Sequence, residues 1–263
     1  MRTPGFALAI SLAFALAALP RRAEGQGNME IQVYGAELVP VAATMFELHS
    51  NFTVSGKNAW VEGVRPTKHA LHETVEITHG FAPWFEVGFY TFTSRQPDGS
   101  SFIVGNHIRP RVAIPSSWHW PVGLSLSQEI GWQRRDFDPA GWSWEIRPIA
   151  DRQWGRLYAS VNPALERALR GSGTADGMHF APAAVVTYDV TPFVSPGIEY
   201  YGDFGPISHF APSSGREHMI TPVINLNFAP DWEFNAGVVY SLTAASDKML
   251  VKMILGRRVG GRK

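Results

Sequence analysis

The 263-residue sequence contains no cysteine and little charge: Asp, Glu, Lys and Arg make up 17% of it, with 23 basic against 23 acidic residues. Without thiols there is no disulfide framework, thiolate metal site, cysteine nucleophile or lipid-modified N-terminal cysteine. A chain without net charge offers no electrostatic footprint for a nucleic-acid partner. Extended helical patterning is missing as well: beyond Val41 no stretch keeps a period of about 3.6 residues. His-Glu-x-x-His, Gly-x-Ser-x-Gly and phosphate-binding glycine loops are absent, so the common hydrolase and nucleotide chemistries have no support.

What is present begins with a leader. Arg2, an apolar run from Phe6 to Leu19 and the small residues around Ala23 and Gly25 have the layout of a secretory signal peptide over 1–25. The run is too short for a comfortable membrane-spanning helix. The mature chain is then expected to start at Gln26.

After that, alternation of period two recurs along the chain. "FELHSNFTV" sets Phe46, Leu48, Phe52 and Val54 against Glu47, His49, Asn51 and Thr53; "VGLSLSQEIGW" sets Leu124, Leu126, Ile130 and Trp132 against Ser125, Ser127 and Glu129. About twelve such segments of roughly ten residues fit strands that cross a bilayer at a tilt. The predicted fold is all-β, a transmembrane antiparallel up-and-down barrel over 44–259. Segment 26–43 is either a periplasmic tether or a lumen plug, 260–263 is a basic tail, and both termini are expected on the periplasmic side.

Expected short connectors at 80–83, 115–121, 151–155, 189–192 and 229–231 alternate with longer polar ones, the pattern of outer-membrane barrels. "HGFAPWFEVGF" from His79, "YDVTPFVSPGIEYYG" from Tyr188 and "LNFAPDWEFNAGV" from Leu226 read as three copies of one periplasmic turn. Proline fixes the bend and Trp84, Phe193 and Trp232 mark the membrane boundary. Pro110, Pro148, Pro163, Pro182, Pro196 and Pro222 fall inside expected strands, where each removes a backbone donor. A shared bulge would accommodate them, and a soluble sandwich or calyx is the competing fold.

The inward faces collect charge: Glu47, His49, His72, Glu76, Glu86, His107, Arg109, Arg111, Glu129, Glu145, Arg147, Glu166, Glu199 and Asp203. Basic residues of the fourth strand are expected to face carboxylates on the third and fifth as complementary cross-strand pairs. Two roles compete, a hydrogen-bonded network filling the lumen and a wet constriction at Arg109 and Arg111 that selects solutes. In "HALHE", His69 and His72 would point to opposite faces of a strand and cannot share a metal. Glu47, His49, His72 and Glu76 make the better cluster, but paired His and Glu are expected in a polar lumen without an ion, so no metal and no cofactor is assigned. A barrel lipase is disfavoured because His49 and Ser50 face opposite sides.

The pieces "IQVYGAE", "FELHSNFTV", "FAPWFEVGFY", "RPRVAI", "VNPALE", "FAPAAVVTYDVTPFVSPGIEYYGDFG" and "SDKMLVKMILG" resemble bacterial outer-membrane barrels grouped as MetA-pathway phenol-degradation proteins. The resemblance implies an outer-membrane location and passive passage of small solutes, aromatic or hydrophobic compounds among them, with membrane lipid and lipopolysaccharide as surroundings. The alternative is a closed barrel with a structural or surface-interaction role. The ending "GRRVGGRK" departs from the terminal aromatic of many such barrels.

Overall fold

The computed structural model describes residues 29–261; the expected leader and the last two residues of the basic tail lie outside the described residues. Twelve strands run in chain order: β1 Ala43–Ser55, β2 Leu71–Ala82, β3 Phe85–Arg95, β4 Ser101–Ala113, β5 Gly123–Gln133, β6 Trp142–Trp154, β7 Leu157–Arg170, β8 His179–Tyr188, β9 Val194–Asp203, β10 Glu217–Leu226, β11 Trp232–Ser241 and β12 Met249–Gly260. Each pairs antiparallel with its sequence neighbours, and β12 closes on β1 through Glu47 opposite Gly256 and His49 opposite Ile254. Closure leaves no open edge, as a spanning sheet requires. Gly260, expected to begin the tail, is the last residue of β12.

Alternation decides which face meets which solvent. Phe46, Val75, Ile77, Phe89, Ile108 and Ile198 are exposed on the outside, an apolar surface too continuous for water and suited to lipid. Their neighbours Glu47, Thr74, Glu76, Tyr90, His107 and Glu199 are buried inside. The sandwich and calyx alternatives are thereby set aside.

One end of the barrel carries the short turns. β2 and β3 are joined by Pro83 and Trp84, with Ala82 paired to Phe85; the other two copies of the motif likewise close turns, before β9 and before β11. Phe81, Trp84, Trp118, Trp154 and Phe193 are exposed at this end. The turn expected at 151–155 is shorter than predicted: β6 continues until Trp154 pairs with Leu157, leaving Gly155 and Arg156 to turn with Gly155 at φ 60°, a value glycine adopts without steric cost.

The prolines are not bulges. Register shifts occur at Thr53/Ser55, Gly80/Ala82, Phe92/Thr93 and Trp142/Ser143, away from all six. Instead, pairing lapses locally while the register carries through: Ile146 pairs with Leu165 and Ala150 with Val161, leaving Pro148 opposite Pro163, which in turn pairs with Pro182. Setting these three prolines side by side gathers their missing donors in one patch of wall, while Pro110, Pro196 and Pro222 each stand opposite a non-proline residue.

The long loops gather at the opposite end. There Arg65 lies over the Trp60 and Phe102 rings and donates to Asp136 at 2.7 Å. Burial acts to raise the Asp136 carboxyl, but hydrogen bonds from Arg134 and Arg65 prevail and hold it below its ordinary value.

Candidate functional site in the barrel lumen

The lumen is occupied by the chain's own N-terminal segment. From Met29 near the long-loop half to Val41 at the short-turn rim, an irregular stretch descends inside the wall, ending on a bridge between Val41 and Gly80. The described part of 26–43 is hydrogen-bonded to inward-facing wall side chains over most of its length. Gly260 lies at the short-turn end; the expected mature N-terminus at Gln26 lies outside the described residues.

The backbone of this segment has no sheet to pair with, so wall side chains supply its partners, as buried peptide groups demand. Asn51 and Thr74 donate to the Met29 carbonyl at 3.2 and 2.7 Å. Lys252 Nζ donates to the Ile31 carbonyl at 2.9 Å. Asn162 acts twice at Tyr34, accepting from its N–H at 2.8 Å and donating to its carbonyl at 2.9 Å, and Ser160 adds a 2.6 Å bond to the same oxygen. Asp151 accepts from Ala36 N–H at 2.8 Å. Arg111 donates to the carbonyls of Gly35 at 2.9 Å and Glu37 at 2.6 Å, and Glu86 accepts from Val39 N–H at 2.6 Å.

Side chains of the segment fill apolar patches on the same wall. Met29 packs with Tyr90, Phe92 and Val104; Ile31 with Ala183, Tyr201, Met219, Val239 and Leu250; Tyr34 and Ala36 with Ile149. The guanidinium carbons of Arg109, Arg147 and Arg111 lie 4.5, 5.2 and 5.9 Å from the Tyr34 ring centre, cation–π distances. Close passage is enforced by glycine at Gly80, where a Cβ would sit 2.2 Å from the Val39 carbonyl oxygen.

The fourteen residues singled out in the sequence all face inward, but their pairing differs from expectation. Glu86 and Arg111 are directly opposed and bonded at 2.8 Å, the complementary pair foreseen between β3 and β4, and His107 Nδ1 meets Glu129 on β5 at 2.5 Å. Arg109, however, reaches past β3 to Glu76 on β2 at 2.6 Å, keeping only a 3.7 Å contact with Glu86. Glu129, Glu145 and Glu166 stand opposite one another across β5, β6 and β7, like charges in a row. Arg147 offsets this by binding both oxygens of Glu145 at 2.6 Å; a fork-shaped cation is the geometry a carboxylate takes up best.

Glu199 joins Lys252 at 2.5 Å and Tyr201 at 2.7 Å. Asp203 caps its own strand by accepting from Gly205 N–H at 2.6 Å. His72 does not join the other members of its cluster: its ring stands edge-on to Phe137, with both nitrogens lacking hydrogen-bond partners. His69 precedes β2 altogether, in a left-handed conformation with φ 61°, and stacks on Phe52.

The sequence reading did not single out Lys252, which is fully buried, or Ser160 and Asn162, and it placed Asn51 and Thr74 on inward faces without giving them a role. The inward parity of Lys252 in "MLVKMIL", between outward Val251 and Met253, was the available signal.

No family model and no curated protein matches the chain. Among solved structures it is similar to the NanC porin, with TM-score 0.54 and 10% identity over 80% of this chain and 97% of that one. It is also similar to the KdgM porin, with TM-score 0.51 and 8% identity over 83% of this chain and 99% of that one. The latter also aligns, with TM-score 0.50, as solved in complex with disordered oligogalacturonate. The chain therefore has the β-barrel fold seen in outer-membrane porins, and at these identities the likeness is one of fold.

Proposed function

We propose that the protein is a non-enzymatic outer-membrane channel for small solutes, and that residues 29–41 are a plug that closes it at rest. The observation that carries this reading is how the segment is held: almost every bond joins its backbone to a wall side chain. Such bonds can be exchanged for water one by one, whereas a segment paired as a strand would leave only with the sheet. The wall behind it is ringed with charged and polar groups that tolerate hydration, so a vacated lumen is a polar path.

Lipid and lipopolysaccharide would surround the apolar belt. The resemblance to phenol-degradation barrels supports small aromatic or hydrophobic compounds as the cargo, and the apolar patches beneath Met29, Ile31 and Tyr34 would give such compounds footholds once bared. The filled lumen also favours a second reading, a permanently closed barrel with a structural or surface role.

Planar-bilayer recording separates the two. Barrels whose insertion is verified by heat-dependent gel mobility are compared with and without residues 29–40. The channel reading expects rare openings from the intact chain and steady steps after deletion; silence from inserted, deleted barrels refutes it.

A further inference from the structure

We propose that Glu47, His49 and Glu76 form a binding site for one divalent transition-metal ion of the zinc type. β1 presents Glu47 and His49 two residues apart on the lumen face, and β2 places Glu76 directly across from Glu47. One ligand atom from each lies within 4.8 Å of the others, and all three residues are buried.

Two of the donors are without hydrogen-bond partners. His49 is 1% exposed, and neither ring nitrogen has one. Glu76 spends Oε1 on Arg109 and on the Thr78 hydroxyl, each at 2.6 Å, while its buried Oε2 accepts nothing. Paired His and Glu are expected in a polar lumen, and the two do form an ion-pair contact when the imidazole is protonated, but a loose one. His49 Nε2 and Glu76 Oε2 stand 3.5 Å apart, longer than the usual hydrogen-bond range of about 2.7–3.2 Å. Two ligands of a tetrahedral ion with bonds of about 2.1 Å are separated by roughly 3.4 Å.

Charge points the same way. Glu233 on β11 and Glu47 on β1 flank Gly256 of β12, where a Cβ would lie 3.1 Å from Glu47 Cγ and 3.2 Å from Glu233 Cβ. The missing side chain lets the two acidic residues close up beside Glu76. Facing these carboxylates are Arg109, which is bonded to Glu76 and also 3.7 Å from Glu86, and, near Glu233, Lys252 and Arg111, which already serve Glu199 and Glu86. A buried surplus of negative charge calls for protons or a cation. A mixed imidazole and carboxylate set suits a zinc-like ion better than calcium or magnesium, which favour oxygen alone.

The test uses the refolded barrel in detergent, stripped with chelator and titrated calorimetrically with zinc chloride, with bound metal counted by elemental analysis. About one zinc per chain is expected, with affinity falling at least 100-fold in His49→Gln and in Glu47→Gln and unchanged in Glu166→Gln, a carboxylate elsewhere in the lumen. Cobalt(II) should give the intense visible absorption of a four-coordinate ion, absent from His49→Gln. Heat-dependent mobility verifies folding, and either ligand variant suffices if the other does not fold. No stoichiometric zinc on the wild-type barrel, or undiminished zinc on a folded ligand variant, overturns the proposal.

Discussion

Replacing Arg111 by Met should release the plug while leaving the barrel intact. The guanidinium bonds the Gly35 and Glu37 carbonyls at 2.9 and 2.6 Å, and methionine keeps most of the aliphatic stem while removing both donors. Hydrogen bonds to a charged group are each worth about 1.5–3 kcal/mol. Water can refill the lumen after the change, which argues for the lower end, or about 3 kcal/mol for the pair. Glu86 loses its 2.8 Å bond from Arg111 Nε but keeps Val39 N–H at 2.6 Å and its contact with Arg109; that wall bond is lost with the plug docked or undocked, so it is left out of the docking difference. At about 1.4 kcal/mol per factor of ten, the undocked population rises by roughly 100-fold.

The absence of cysteine from the chain makes a clean assay possible. Ser160 is 1% exposed and covered by the Tyr34 carbonyl that it bonds, so Ser160→Cys introduces a single thiol reachable when the plug leaves. Where redocking is fast, the maleimide labelling rate follows the open population. The rate in Ser160→Cys/Arg111→Met should exceed that in Ser160→Cys by about two orders of magnitude, with barrels lacking 29–40 as the upper limit. A ratio near one, with that limit well above both, would refute the docking role of Arg111.

Two further perturbations probe neighbouring parts of the wall. In Gly80→Ala the new Cβ would meet the Val39 and Pro40 carbonyl oxygens at 2.2 and 2.5 Å; the plug must yield at its exit, so thiol labelling of the Ser160→Cys reporter should accelerate at least tenfold, and an unchanged rate counts against the close passage. Lys252→Met strands the buried Glu199 that it bonds at 2.5 Å, at a cost of about 3–5 kcal/mol; urea unfolding in lipid vesicles should show that loss, and adding Glu199→Gln should restore most of it.

The parts of this structure that were legible in the sequence are those that follow from period two. Inward Glu47, His49, Arg109 and Arg111 and outward Phe46 and Ile108 could be placed because a strand has only two faces and lipid tolerates only one kind of residue. The motif around Pro83 and Trp84 could be read as a turn because proline restricts the backbone where no ladder donor is needed. Charge pairing was harder. A guanidinium spans more than one strand spacing, so Arg109 could select Glu76 on β2 over the nearer-in-sequence candidates, and only the packing of the ring around Tyr34 decides that choice.

The position of the N-terminal segment was not legible, for a reason that also bears on what it does. A strand or helix announces itself by periodicity because its own backbone satisfies its own kind. "MEIQVYGAELVPV" has its peptide groups satisfied by Asn51, Thr74, Ser160, Asn162, Lys252 and Arg111, which lie on five different strands and far along the chain. No local pattern encodes such a match. The same feature makes the match separable: each wall donor that releases a carbonyl remains beside others in a polar lumen, so undocking costs hydrogen bonds that water can replace, plus burial of a few apolar side chains. Filling a barrel permanently would be served better by large side chains from the strands themselves. Instead, glycines stand on the inner wall where the segment passes, Gly80 against the Val39 and Pro40 carbonyls and Gly123 beside Ala36 Cβ, keeping room for something that arrives separately.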